Sequence, residues 1–185
     1  MVNRPKPAVA IFGGSFDPPH RGHQEIVQKA LKSLDIDKLL VLPAYLNPFK
    51  SSSLASAEQR LIWCHQLFDE IPNVIVDDYE IRQGKSIRTS QSVKHFSDTY
   101  EIKYLIIGAD NLSTLTKWHE FEWLNKTITW VIVTRMGYEL NTSMLHSWRV
   151  LTLDTPVSST YIRKKKQLED VDSKIKDSVK NTLKG

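Results

Sequence analysis

His20 and His23 stand three residues apart in "AVAIFGGSFDPPHRGHQEIV" (residues 8–27), just after a pair of glycines and a pair of prolines. Two imidazoles at that spacing can hold phosphate oxygens or stabilise charge that develops on them. The residues around them fix where they sit. Positions 8–12 are an apolar run of strand length, Gly13-Gly14 ends it with residues that tolerate unusual dihedrals, and Pro18-Pro19 blocks both helix and ladder. Ile26, Val27, Ala30, Leu31 and Leu34 then recur at helical spacing, so a helix is expected over about 20–34 with both imidazoles at its N-terminus. The first amides of a helix lack intrahelical partners and carry partial positive charge, so anions bind there. Gly13, Gly14 and Ser15 add further backbone amides and allow close approach. Neither the P-loop pattern nor G-x-G-x-x-G is matched.

"GGSFDPPHRGH" resembles the signature of the nucleotidyltransferases that carry a His-x-Gly-His motif, and within that superfamily it is most similar to the bacterial nicotinate-nucleotide adenylyltransferases. The resemblance implies adenylyl transfer from ATP to nicotinate mononucleotide, with Mg²⁺ accompanying the ATP. It places Gly13, Gly14, Ser15 and Phe16 against the phosphates, and His20 and His23 at the reacting groups.

Four further motifs extend the likeness. "PAYLNPFK" (43–50) follows a strand, and Lys50 would reach a polyphosphate as a flexible point charge, or is an ordinary exposed lysine. The family pattern here ends in Pro-His-Lys or Pro-His-Arg, and Phe49 replaces that histidine. "IIGADNLSTLTKWHEFEWL" (106–124) resembles the family's Gly-x-Asp segment with a Trp ahead of a helix. There Gly108 would let a ligand approach, and Asp110 would accept from ribose hydroxyls or else cap the following turn. Trp118 offers a flat face for a pyridine ring, whereas Phe121 and Leu124 keep helical spacing with it and belong to a core. Trp123 and Trp130 carry no signature and read as structural. In "GKSIRTSQSV" (84–93) only Thr89 matches the family's Ser-Tyr-Thr, as an acceptor contact or a helix cap. "TPVSSTYIRKKK" (155–166) resembles the family's Ser-x-Thr-x-x-Arg ending: Ser158 and Ser159 cap a helix, and Arg163 near its first turn presents a planar fork suited to phosphate. Main-chain amides of the 44–47 loop, with Ala44 and Asn47 as candidates, would read the acceptor's carboxylate.

Apolar segments at 38–42, 74–76, 103–108, 129–134 and 150–153 alternate with helix patterns near 57–70, 89–98 and 117–126. Such alternation predicts an α/β, Rossmann-like, doubly wound and mostly parallel sheet in a single domain. Ligands of such sheets lie outside the carboxyl ends of the strands, where the motifs above fall.

The chain has 185 residues and 41% hydrophobic composition, enough for one substantial core. No apolar run approaches membrane-spanning length, so a cytoplasmic protein is expected, with no membrane partner. Cys64 is the only cysteine, which excludes an internal disulfide, and it reads as a packed helix residue. The net charge is +4; residues 161–185 hold eight Lys or Arg against four acids, while residues 1–160 hold seventeen of each. A basic tail on a neutral body makes 160–185 a solvated helical segment rather than a nucleic-acid footprint. Oligomeric state is not legible. The competing readings are pantetheine-phosphate adenylyltransferase, a cytidylyltransferase, and a non-catalytic nucleotide- or RNA-binding module using the tail. The Gly-Ala-Asp to Trp118 segment favours the nicotinate enzyme.

Overall fold

A computed structural model describes residues 5–46, 52–135, 139–155 and 157–184. Six parallel strands, β1 (Ala8–Gly14), β2 (Lys38–Pro43), β3 (Val74–Val76), β4 (Glu101–Gly108), β5 (Thr129–Arg135) and β6 (Trp148–Leu153), form one sheet in the order β3-β2-β1-β4-β5-β6. The chain winds outward from β1 through β2 to β3, then returns to the other side of β1. That reversal leaves a crevice beyond the carboxyl ends of β1 and β4.

Side chains alternate across the strands and build two cores. Ala10, Phe12, Val41, Tyr104 and Ile106 face α1 (Arg21–Ser33), α2 (Ala57–Phe68) and α7 (Ser173–Thr182). Val9, Ile11, Leu40, Leu105 and Ile107 face the opposite layer of α4 (Thr89–Ser97) and α5 (Phe121–Thr127). Phe121 and Leu124 are buried there, as their spacing predicts, and so is Trp130, read as structural. Trp123 is packed against this layer with the Lys94 ammonium over its ring. Cys64 is fully buried, and burial pushes its thiol pKa up, so it is a packing residue.

Several expectations change in detail. Gly13 and Gly14 complete β1 in extended conformation instead of ending it, and the left-handed residue of the loop is Phe16, at φ 46°. The helix expected over 117–126 is broken: a 3₁₀ turn at Leu115–Lys117 stops at Trp118, and Glu120, at φ 56°, starts α5 afresh. A short helix, α3 (Tyr79–Arg82), lies where only a loop was legible. The tail forms two helices, α6 (Ser159–Lys165) and α7, separated at Lys166, whose φ is 52°. Nor is α7 merely solvated: Ile175 and Val179 are buried against the first core, and Trp63 Nε1 of α2 donates to Ser178 Oγ at 2.9 Å.

Three charged side chains fasten the loops that border the crevice. Arg60 of α2, 1% exposed, donates to the carbonyls of Ser15 (2.7 Å), Ala44 (2.6 Å), Tyr45 (2.6 Å) and Ala55 (3.3 Å). Asp17 accepts from the amides of Leu54 (2.8 Å) and Ala55 (3.0 Å). Glu25 of α1 accepts from the amides of Asp154 (2.7 Å) and Thr155 (3.0 Å), which tethers the segment leading to α6. Burial alone would raise the Glu25 pKa, but the hydrogen bonds from Asp154, Lys29 and Thr155 outweigh it and hold the carboxyl down at about 2, against an ordinary 4.5.

A carboxyl whose pKa is depressed in the folded state contributes stability above its unfolded pKa and loses it as pH falls toward the folded one. Glu25→Gln is therefore expected to lower the melting temperature relative to wild type at neutral pH, with the gap closing as pH falls from about 4.5 to about 2. Melting curves of both proteins across that range check it; a gap that is constant with pH would remove Glu25's charge from the account.

Candidate active site

The crevice holds a cavity of about 970 Å³, lined from both layers. His20 is the N-cap of α1, in extended conformation, and His23 is the third residue of its first turn. The two rings lie against each other at a tilt of 37°, with centroids 3.9 Å apart, and His23 packs on Phe16 at 4.9 Å. His20 N donates to His23 Nδ1 at 3.1 Å, so a neutral His23 carries its proton on Nε2 and offers it as a donor. Burial first, and then the proximity of His20, hold the His23 pKa well below the usual histidine range. His23 is consequently held as a neutral donor rather than a cation. Gly22 between them is required by close approach: a Cβ there would meet the His20 ring at 3.0 Å and Val157 at 3.4 Å.

Arg163 projects from α6 toward the same cavity. Its Nη1 donates to the Asp17 carbonyl and its Nη2 to Thr160 Oγ1 at 3.2 Å, so the fork is preset by the loop that precedes the histidines. Ser158 caps α6 by accepting from Tyr161 N at 3.1 Å, and Ser159 Oγ donates to the Pro18 carbonyl at 2.9 Å. Both serines line the cavity, but their hydroxyls already build the wall.

Gly13, Gly14, Ser15 and Phe16 border it from β1, and Gly108 and Asp110 from β4. Asp110 lies inside the short turn Ala109–Asn111, whose cap position is Gly108, so it is not an N-cap. A Cβ on Gly108 would overlap the Asp110 carboxylate, which therefore folds back over the strand end. Thr89 is likewise not a cap: Arg88 holds that position, and Thr89 is the first residue of α4 and lines the cavity. Trp118 packs edge-on against Trp130 at 6.3 Å, with its Nε1 buried and unpaired. Ala44 reaches the cavity, but its amide donates to Gly14 O at 2.9 Å and is unavailable to a ligand. Asn47, Phe49 and Lys50 lie outside the described residues.

Fourteen of the sixteen residues singled out in the sequence thus border one cavity, the exceptions being Asn47 and Lys50. Arg60, Asp17 and Glu80 were missed. Arg60 had a signal: with Trp63, Cys64 and Leu67 it falls on one buried stripe of α2, and a charge on an apolar stripe marks a buried partner network. Among the described residues no group of three or more His, Cys, Asp or Glu converges as a metal cage. The groups that line the cavity include imidazoles and a guanidinium, donors of the kind that suit phosphate oxygens rather than a metal ion.

Comparison with known proteins agrees with this geometry. The cytidylyltransferase-like family profile matches residues 11–165. A Sulfurovum sp. protein named "Probable nicotinate-nucleotide adenylyltransferase" is 71% identical over 184 residues, covering 100% of this chain and 98% of that protein. A Campylobacter jejuni protein of the same name is 41% identical, covering 93% of this chain and 94% of its own. Among solved structures, the Plasmodium falciparum nicotinic acid mononucleotide adenylyltransferase complexed with NaAD superposes with a TM-score of 0.71 at 18% identity, covering 95% of this chain and 94% of that one, which shows a shared fold. Both the family match and the close relatives span the stretch that builds the crevice, and the chain belongs to the nicotinate-nucleotide adenylyltransferase branch of the cytidylyltransferase-like family.

Proposed function

We propose that the chain transfers the adenylyl group of ATP to nicotinate mononucleotide, releasing pyrophosphate and forming nicotinate adenine dinucleotide. The observation that carries the reading is the close-packed His20–His23 pair at the strand-order reversal, with Arg163 and Trp118 lining the same cavity. It is supported by what the names of the relatives say of those proteins. Substrates of this kind, a lone buried thiol and the lack of any described helix long and apolar enough to cross a membrane suit a cytoplasmic enzyme.

An oxygen of the acceptor's 5′-phosphate attacks the α-phosphorus in line; the new P–O bond forms as the bond to the β-phosphate bridge breaks. A phosphate monoester has a second pKa near about 6, so the nucleophile is already ionised at neutral pH and needs no general base. Catalysis then rests on alignment and on donors aimed at developing charge. His20 and the Nε2 proton of His23 stabilise the transferring oxygens, and Arg163 and Lys50 take the pyrophosphate side. The backbone at Gly13, Gly14, Ser15 and Phe16 and the capped start of α6 at Ser158 and Ser159 accommodate the phosphates. Magnesium accompanying the triphosphate would supply neutralising charge for the leaving group. Asp110 accepts from the ribose, Gly108 keeps room for it, and Trp118 and Thr89 border the nicotinate ring.

Pyrophosphate release from ATP with nicotinate mononucleotide, its amide or phosphopantetheine tests the assignment: turnover with phosphopantetheine alone overturns it. His20→Ala is expected to lower kcat by roughly a hundredfold or more, because it removes a donor that acts on the transition state. A change confined to the KM for ATP would make His20 a ground-state binder. Arg163→Lys should also be severely impaired in steady-state assays although charge is kept, since an ammonium cannot span both the Asp17 carbonyl and phosphate oxygens as a fork. Trp118→Ala should weaken the acid and amide acceptors by similar factors and leave their kcat/KM ratio nearly unchanged; a collapsed ratio would show that the indole itself sets the choice.

A further inference from the structure

The acid and amide forms of a pyridine nucleotide have nearly the same shape, so choice between them requires polar or charged groups. The Ala44 amide, one candidate reader of the carboxylate, is already engaged by Gly14 O. On the wall beside Thr89 lies a group the proposed reaction does not use. Glu80 of α3 is 8% exposed and lines the cavity, and its Oε1 accepts from Ser92 Oγ at 2.7 Å. Ser92 is itself buried, lines the cavity, and sits one turn along α4 from Thr89. The same helix is tied on its other side to the ring-binding segment, with Ser90 Oγ 3.0 Å from His119 Nδ1. Glu80, Thr89 and Trp118 therefore border one space from three elements that are braced against each other.

Resting on the acceptor assignment above, we propose that Glu80 is a specificity-determining residue: its carboxyl must be protonated for the anionic acid acceptor to bind, whereas the neutral amide acceptor carries no such requirement. An ionised carboxylate in that wall would repel a second carboxylate, while the protonated acid repels nothing and can donate a hydrogen bond. Binding of the acid form therefore takes up a proton from solvent onto Glu80, and binding of the amide does not.

The surroundings permit this. Burial raises the Glu80 pKa to about 7, against a smaller lowering by the Ser92 hydrogen bond. The cations nearby are otherwise disposed. On α3, Arg82 pairs with Asp78 at 2.8 Å, and Asp77 Oδ1 caps Tyr79 N. On α4, Lys94 pairs with Glu120, and His95 stacks on Tyr79 at 3.9 Å. From β2 the nearby core residues, Leu40 and Leu42, are apolar. Arg88, Lys117 and His119 line the same cavity, but none of them is a cause of the Glu80 shift.

The test is the ratio of kcat/KM for the acid over the amide acceptor as a function of pH. In the ratio, the phosphate ionisation common to both acceptors and the titrations of His20, His23 and ATP cancel. In wild type the ratio is expected to fall about tenfold between about pH 6 and about pH 8, as a group titrating near 7 loses its proton. Ser92→Ala removes the bond that favours the ionised form and should move the midpoint to higher pH, which a purely structural role would not do. Glu80→Gln should make the ratio independent of pH. Calorimetric titration of each acceptor, in buffers of different ionisation enthalpy near neutral pH, should show fractional proton uptake with the acid, none with the amide, and none with either in Glu80→Gln. A flat ratio in wild type overturns the proposal, as does a pH dependence that survives in Glu80→Gln. Should Glu80→Gln fail to fold, the wild-type ratio and the Ser92→Ala midpoint decide alone. Failure of the adenylyl-transfer reading is separate and would show as no pyrophosphate release with either acceptor.

Discussion

A guanidinium with almost no access to water organises the loops on the β1–β2 side of the crevice. Arg60 donates to four carbonyls that belong to three chain segments: the turn after β1, the loop after β2, and the approach to α2. Burial lowers the Arg60 pKa, and the carboxylate of Asp17 works against that, so the cation is retained in the interior. Asp17 in turn fixes Leu54 and Ala55 through its side chain and Arg163 through its carbonyl. A single buried ion network thus relates the turn after β1, the loop after β2 and the arginine of α6.

The histidines depend on that frame but are placed by strand order. Because β1 is central and β4 lies beside it, the glycine-rich end of one strand and the Gly108 end of the other meet in the crevice. A neutral His23 imidazole there is a consequence of burial, and it suits a reaction whose nucleophile arrives already ionised.

Much of this was legible in the sequence because the relevant signals are local. The strand–glycine–proline–helix order around His20 and His23, the helical spacing of Phe121 and Leu124, and the alternation of apolar runs each depend on a few adjacent residues. What escaped depends on contacts between distant segments. Glu80 sits on a one-turn helix with no periodicity to detect, and its partner Ser92 lies on a different helix. Neighbouring residue types also do not reveal which amides are engaged: Ala44 looks available until the β1–β2 ladder extends to it. The break at Glu120 was hidden because the apolar pattern continues straight across it.

The docking of α7 on α2 has a consequence for the order of events in synthesis. Ile175 and Val179 complete the core beneath Trp63, one turn of helix away from Arg60, yet they are made after every other element described. A nascent chain can pair its strands before then, but the support under α2, the helix that carries Arg60, arrives after them. Burial of these side chains favours the docked state only once both helices exist. Until α7 docks, the buried stripe of α2 that carries Trp63 and Arg60 lacks its outer cover, so the loops that Arg60 ties together are held less firmly.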